Sequence, residues 1–172
     1  MSIVSPGLFS DQAVSPVGIG ALRRSRDATS LTVRELDEWP ASPSFFDQWV
    51  QVWQEQSQPL PFTHPSWVRA WWMHFGVGKR LALIVVERDG RLCAVAPLFE
   101  ESRPTGLGRL RVVGFGTTND YNDWLLPAEP VAQFEAADLI FEALAARSLT
   151  SCIEINGVRK DSALAGVLER AR

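Results

Sequence analysis

The chain has 172 residues, 46% apolar and 22% charged, enough for one domain with a sizeable core. Lys and Arg number 17 and Asp and Glu 20; the formal charge of −3, with no basic face, argues against nucleic acid as the main partner. Apolar runs such as "LALIVV" fall far short of the roughly 20 residues of a membrane span. The start lacks a charged and then apolar signal, so no membrane span and a cytoplasmic setting are expected.

Residues 1–30 are rich in Ser, Gly and Pro without sustained periodicity and predict a disordered leader, made mildly basic by Arg23, Arg24 and Arg26. The alternation in "SLTVREL" predicts a first strand. "SPSFFDQWVQVWQEQ" sets Phe45, Trp49 and Trp53 on one stripe, a helix capped near Ser42 or Ser44. "PLP" ends it. "THPSWVRAWWMHF" predicts a second helix, with Thr63 as N-cap and Trp67, Trp71 and Phe75 on its apolar face. Gly76 and Gly78 close it. Two strand-like runs then flank Asp89-Gly90, a hairpin-turn signal. "RLRVVGFG" reads as a further strand and "DWLLP" as a short extended piece. "EPVAQFEAADLIFEALAAR" predicts a helix from near Pro130, "SCIEING" a strand, and "DSALAGVLERAR" a last helix capped by Asp161 or Ser162. The order is strand, two helices, three strands, long loop, helix, strand, helix. It defines an α/β chain with a mixed, α+β-type sheet. Cys93 and Cys152 lie in apolar runs and are expected as reduced core residues. The cysteines and the distant pair His64 and His74 lack ligand spacing, so no metal is expected.

Four stretches together carry a family resemblance: "PFTHPSWVRAWWMHFG", "LIVVERDGRLCAVAPLFEE", "LRVVGFGTTNDYNDWLLP" and "CIEINGVRKDSALAGVL". In order they supply a Phe-Thr-His-Pro-Ser-Trp segment, an Asp-Gly hairpin closing on Ala-Pro-Leu, and a glycine followed by Asp-Tyr-Asn-Asp. The set resembles the N-terminal half of the CelD-like acetyltransferases of cellulose and exopolysaccharide biosynthesis, within the GNAT superfamily. The likeness covers residues 31–172. It implies a GNAT-like domain, incomplete at its C-terminus, that forms the first half of a two-lobed transferase. It further implies acetyl-CoA as co-substrate, an amine or hydroxyl of a saccharide-type acceptor, and a donor site mainly in a C-terminal partner half. The alternative is a non-catalytic module that binds the acceptor or docks a partner and has no acyl-CoA site.

The spelling "RPTGLG" at 103–108 matches a GNAT pyrophosphate loop. Such a loop works by aiming backbone amides from a helix start at the phosphates. Here a strand-like run follows instead, so a surface hairpin is expected. Gly114 and Gly116 are the remaining candidates for close approach of an acyl donor, and equally for a simple bend.

Acyl transfer needs a base for the acceptor's proton and a donor to the leaving thiolate. "NDYNDW" is the densest polar cluster of the chain. It offers Asp120 as base and Tyr121, the only tyrosine, as proton donor. Asn119, Asn122 and Asp123 are candidate acceptor contacts, and Trp72 a candidate stacking surface. The competing reading is an Asx-rich loop that caps its own backbone, with the tryptophans in the core.

Overall fold

The computed structural model describes residues 22–26, 29–102, 108–114, 116, 120–147 and 150–170. Six strands form one sheet: β1 (Leu22–Arg26), β2 (Thr29–Leu36), β3 (Arg80–Arg88), β4 (Arg91–Ser102), β5 (Gly108–Val112) and β6 (Thr150–Glu154). They lie side by side in chain order. Neighbours are antiparallel until β6, which runs parallel to β5. Helices α1 (Pro43–Gln54) and α2 (Pro65–Phe75) link β2 to β3. Helix α3 (Pro130–Ala145) lies between β5 and β6, as a parallel pair requires of its crossover, and α4 (Ala163–Arg170) comes last.

Alternation along β3 explains the layers. Leu81, Leu83 and Val85 point into a core with Trp49, Val52, Val68 and Trp71 of α1 and α2. Ala82, Ile84 and Val86 point the other way, into a core with Ala136, Leu139, Ile140 and Ala143 of α3. A strand that is apolar on both faces belongs at the centre of a sheet covered on both sides. Each fully buried Leu, Ile or Val there contributes about 1.5–3 kcal/mol relative to exposure. The β3–β4 turn is Asp89-Gly90, both at positive φ (52° and 76°), where a short Asp and a Gly are tolerated.

A buried ion cluster ties the end of α3 to the sheet. Arg147 donates to Glu35 of β2 and to Glu100 of β4, and Arg80 also reaches Glu100. Gly108 lies against this cluster, where a Cβ would fall inside the Glu100 side chain.

The strand and helix order read from the sequence recurs, and the details differ as follows. Within the stretch expected to be a leader, Leu22–Arg26 forms β1; residues 1–21 lie outside the described residues. An Arg-rich edge strand takes its order from pairing with β2 and so shows no apolar alternation. The N-cap of α2 is His64, whose Nδ1 accepts from the Ser66 N–H (3.2 Å), and not Thr63. Thr63 instead sits in a single 3₁₀ turn, Pro61–Thr63, with its hydroxyl on the Leu60 carbonyl. Of the two cysteines expected in the core, Cys93 packs half-buried against it, whereas Cys152, on the edge strand β6, is exposed.

Candidate functional site

The site grows from the way β5 ends. Val113 still donates to the Pro97 carbonyl of β4 (2.7 Å), and the chain then turns away through Gly114 and Gly116, at φ of 98° and 114°. The β4 edge thus vacated is met at Val95 by Leu125, through two backbone bonds of 2.8 and 2.9 Å. Trp124 and Leu126 enter the α3 core and Leu125 the α1–α2 core. This rung sets the polar residues before Trp124 at the end of the sheet.

Asp120–Asp123 rests on the segment that follows β6. Asn122 is buried; its Nδ2 donates to the carbonyl and the Oδ1 of Asn156 (2.9 and 3.0 Å), and its N–H to the Gly157 carbonyl (3.1 Å). Gly157 has a φ of 66°, and a Cβ there would lie 3.2 Å from the Asp120 carbonyl. Both features favour glycine at this contact.

Asp123 is 8% exposed. Its Oδ1 accepts from the Trp124 N–H (2.8 Å), and the Ser162 hydroxyl donates to its carboxylate. Ser162 Oγ also accepts from the Ala165 N–H (3.2 Å), which makes Ser162, not Asp161, the cap of α4. Burial pushes the Asp123 carboxyl up from 3.8 to about 6, against the pull of these hydrogen bonds and of Arg159. Arg159 pairs with Asp161, donates to Gln58 Oε1 (2.8 Å), and lies 5.9 Å over the Tyr121 ring.

Asp123, Trp124, Arg159 and Ser162 form one wall of a cleft of about 480 Å³. The connector from α1 to α2, including Gln56 and Gln58, lines it too. Two indoles of α1 hold that connector: Trp49 Nε1–H donates to the Thr63 carbonyl (3.0 Å) and Trp53 Nε1–H to the Leu60 carbonyl (2.7 Å). Gln56 Nε2 donates to the Leu126 carbonyl (2.9 Å).

The polar residues singled out by sequence thus separate. Asp123 lines the cleft, and Asn122 fixes the loop behind it. Asp120 and Tyr121 (45% exposed) stand outside the cleft wall. Asn119 lies outside the described residues. Trp72 is half-buried on α2, its ring against Gly76, away from the cleft. Gly114 is buried and Gly116 exposed at the turn after β5. Arg159, Ser162 and Gln56 carried no local signal of a site; the nearest was the turn-type pair Asn156-Gly157.

Residues 103–107 of "RPTGLG" lie outside the described residues, but their flanks are antiparallel neighbours, with Ser102 opposite Gly108. The segment therefore joins two strands. The next helix, α3, has its leading amides already taken by Glu129, whose Oε1 accepts from Val131 N–H (2.9 Å) and Oε2 from Ala132 N–H (2.6 Å). These two donors hold the Glu129 carboxyl below its ordinary range. A phosphate approaching that helix start would meet a carboxylate. Among the described residues, no three or more His, Cys, Asp or Glu group as metal ligands, and no helix is long and apolar enough to cross a membrane. No family model, no curated protein and no solved structure matches the chain.

Proposed function

We propose that this chain is the acceptor-binding half of a GNAT-type acyltransferase, and that its cleft takes the amine of a saccharide-type acceptor. The strand and helix order and the parallel β5–β6 pair are compatible with the GNAT-like domain that the CelD-like resemblance implies. The observation that carries the reading is Asp123, a buried carboxyl with a pKa of about 6 on a cleft wall. A group so tuned accepts a proton near neutrality, as the nitrogen of an attacking amine must lose one when the C–N bond forms and the thioester C–S bond breaks. The cleft also carries Glu55, Asp123 and Asp161 against Arg159 alone, a balance that favours an ammonium-bearing sugar over a phosphate.

In this reading Asp123 takes the role of base that the sequence assigned to Asp120. Tyr121, on the exposed side of the same loop, stays the candidate proton donor to the thiolate. Acetyl-CoA is brought by a partner half, since Glu129 occupies the first described helix start after β5. That same observation favours the alternative of a non-catalytic acceptor-binding module.

Calorimetric titration separates these readings. Glucosamine binds to the purified chain, glucose binds more weakly, and Asp123→Asn lowers glucosamine affinity by about tenfold, the loss of roughly one charge-assisted bond. Acetyl-CoA alone gives no saturable heat. Failure of every amino sugar to bind, or saturable acetyl-CoA binding abolished by Gly114→Val, overturns the assignment. Turnover upon adding a donor-binding half distinguishes an enzyme from a binding module.

A further inference from the structure

One glycine of the cleft has no reason within the chain itself. Gly166 stands in the interior of α4, is exposed, and lines the cleft. A helix interior is weakened by glycine, which gives up more backbone freedom than alanine. A Cβ at Gly166 would meet nothing within 4 Å. Among the described residues, every other glycine has a positive φ or sits where a Cβ would strike a neighbour. Gly166 therefore weakens α4 and relieves neither strain nor a clash. What its missing side chain leaves open is the cleft.

The position of Gly166 on α4 tells which part of the cleft it opens. Ser162, whose hydroxyl donates to Asp123, lies four positions before it, and Arg170 four positions after it. Residues at that spacing share one side of a helix, each about 6 Å further along the axis. Leu164 and Val167 turn to the other side, into the core. One turn beyond the hydroxyl partner of Asp123, the cleft is thus floored by bare backbone. One turn further, the Arg170 guanidinium lies 4.5 Å over the ring of Phe134, which itself lines the cleft.

A helical turn of about 6 Å is comparable with the advance of one sugar along a chain. We propose that the cleft holds two linked sugars, the amine-bearing one at Asp123 and Ser162 and its neighbour at Gly166. The inference rests on the acceptor reading above and narrows it from a free amino sugar to an oligosaccharide. The second ring lies flat on the α4 backbone, which a side chain at position 166 would prevent. Phe134 offers it an apolar edge, and the Arg170 N–H groups are donors for its hydroxyls. Gly166 is in this way a specificity-determining residue, set by the length of the acceptor.

Calorimetric titration of the full chain with glucosamine and with the chitosan disaccharide, its linked dimer, tests this. The wild type is expected to bind the disaccharide about tenfold more tightly, the share of one or two further hydrogen bonds. Gly166→Leu fills the floor of the second subsite and loses that advantage. Leucine is also the better helix former, so the same variant is expected to resist urea more than the wild type does. A loss of binding in a more stable protein cannot come from misfolding. If glucosamine binds and the disaccharide binds no more tightly, the second subsite is refuted while the acceptor reading stands. Retention of the advantage by Gly166→Leu refutes it as well. So does a Gly166→Leu protein less stable than the wild type, because the glycine then serves packing. Failure of both sugars to bind overturns the acceptor reading and this inference with it.

Discussion

Replacing Asp123 by asparagine should make the protein more stable at alkaline pH and no more stable in acid. Burial raises this carboxyl from 3.8 to about 6 in the folded chain. The folded state therefore keeps a proton that the unfolded chain has already released. Between about pH 4 and 6 unfolding gives up that proton, and stability declines as pH rises. The decline is complete above pH 6, at roughly 3 kcal/mol for a displacement of about two pKa units. Asparagine carries no charge to bury. Its Oδ1 still accepts from the Trp124 N–H, although the attraction of Arg159 is lost. A net gain of about 2 kcal/mol at pH 8 follows, or about 4–8 °C in Tm for a chain of this size. Urea and thermal unfolding of both proteins between about pH 4 and 8 measure it. A gap that stays constant with pH, or a wild type more stable than the variant at pH 8, would show that Asp123 is not held against its charge.

Three further outcomes follow from the packing. Arg147→Ala leaves Glu35 and Glu100 buried with less compensation and should cost about 3–5 kcal/mol in urea unfolding, whereas a surface arginine costs little. Gly108→Ala drives a methyl into the Glu100 side chain and should destabilise by about 1–3 kcal/mol by the same measurement. Gly157→Ala meets both a positive φ and the Asp120 carbonyl; the cost should be about 1–2 kcal/mol, with weakened glucosamine binding in calorimetry because the Asn122 contacts shift.

The elements were legible wherever a local pattern and the tertiary context agreed. The stripe of Trp49 and Trp53 and the run Leu81–Val86 gave α1 and β3 because their burial follows their spacing. The Asp89-Gly90 turn was readable from its dipeptide alone. β1 was not, since "LRRSR" is made a strand only by its neighbour. The site was legible as a cluster but not as a geometry. Asp120 and Asp123 look alike in sequence, and the difference between them is made by partners distant in the chain. Ser162 and Arg159 meet Asp123, while Gly157 receives Asn122 and leaves Asp120 in solvent. Trp72 was singled out for its aromatic character, yet its place over Gly76 depends on how α2 ends.

The rung between Val95 and Leu125 fixes where change is tolerated. No strand pairing involves the described residues between the last bond of β5, at Val113, and that rung, so a change of length ahead of the buried Asn122 leaves the ladder of β3 and β4 intact. Descendants of such a fold can retune the acceptors they admit by altering the length of one loop, while the double-sided apolar strand at the centre stays as it is.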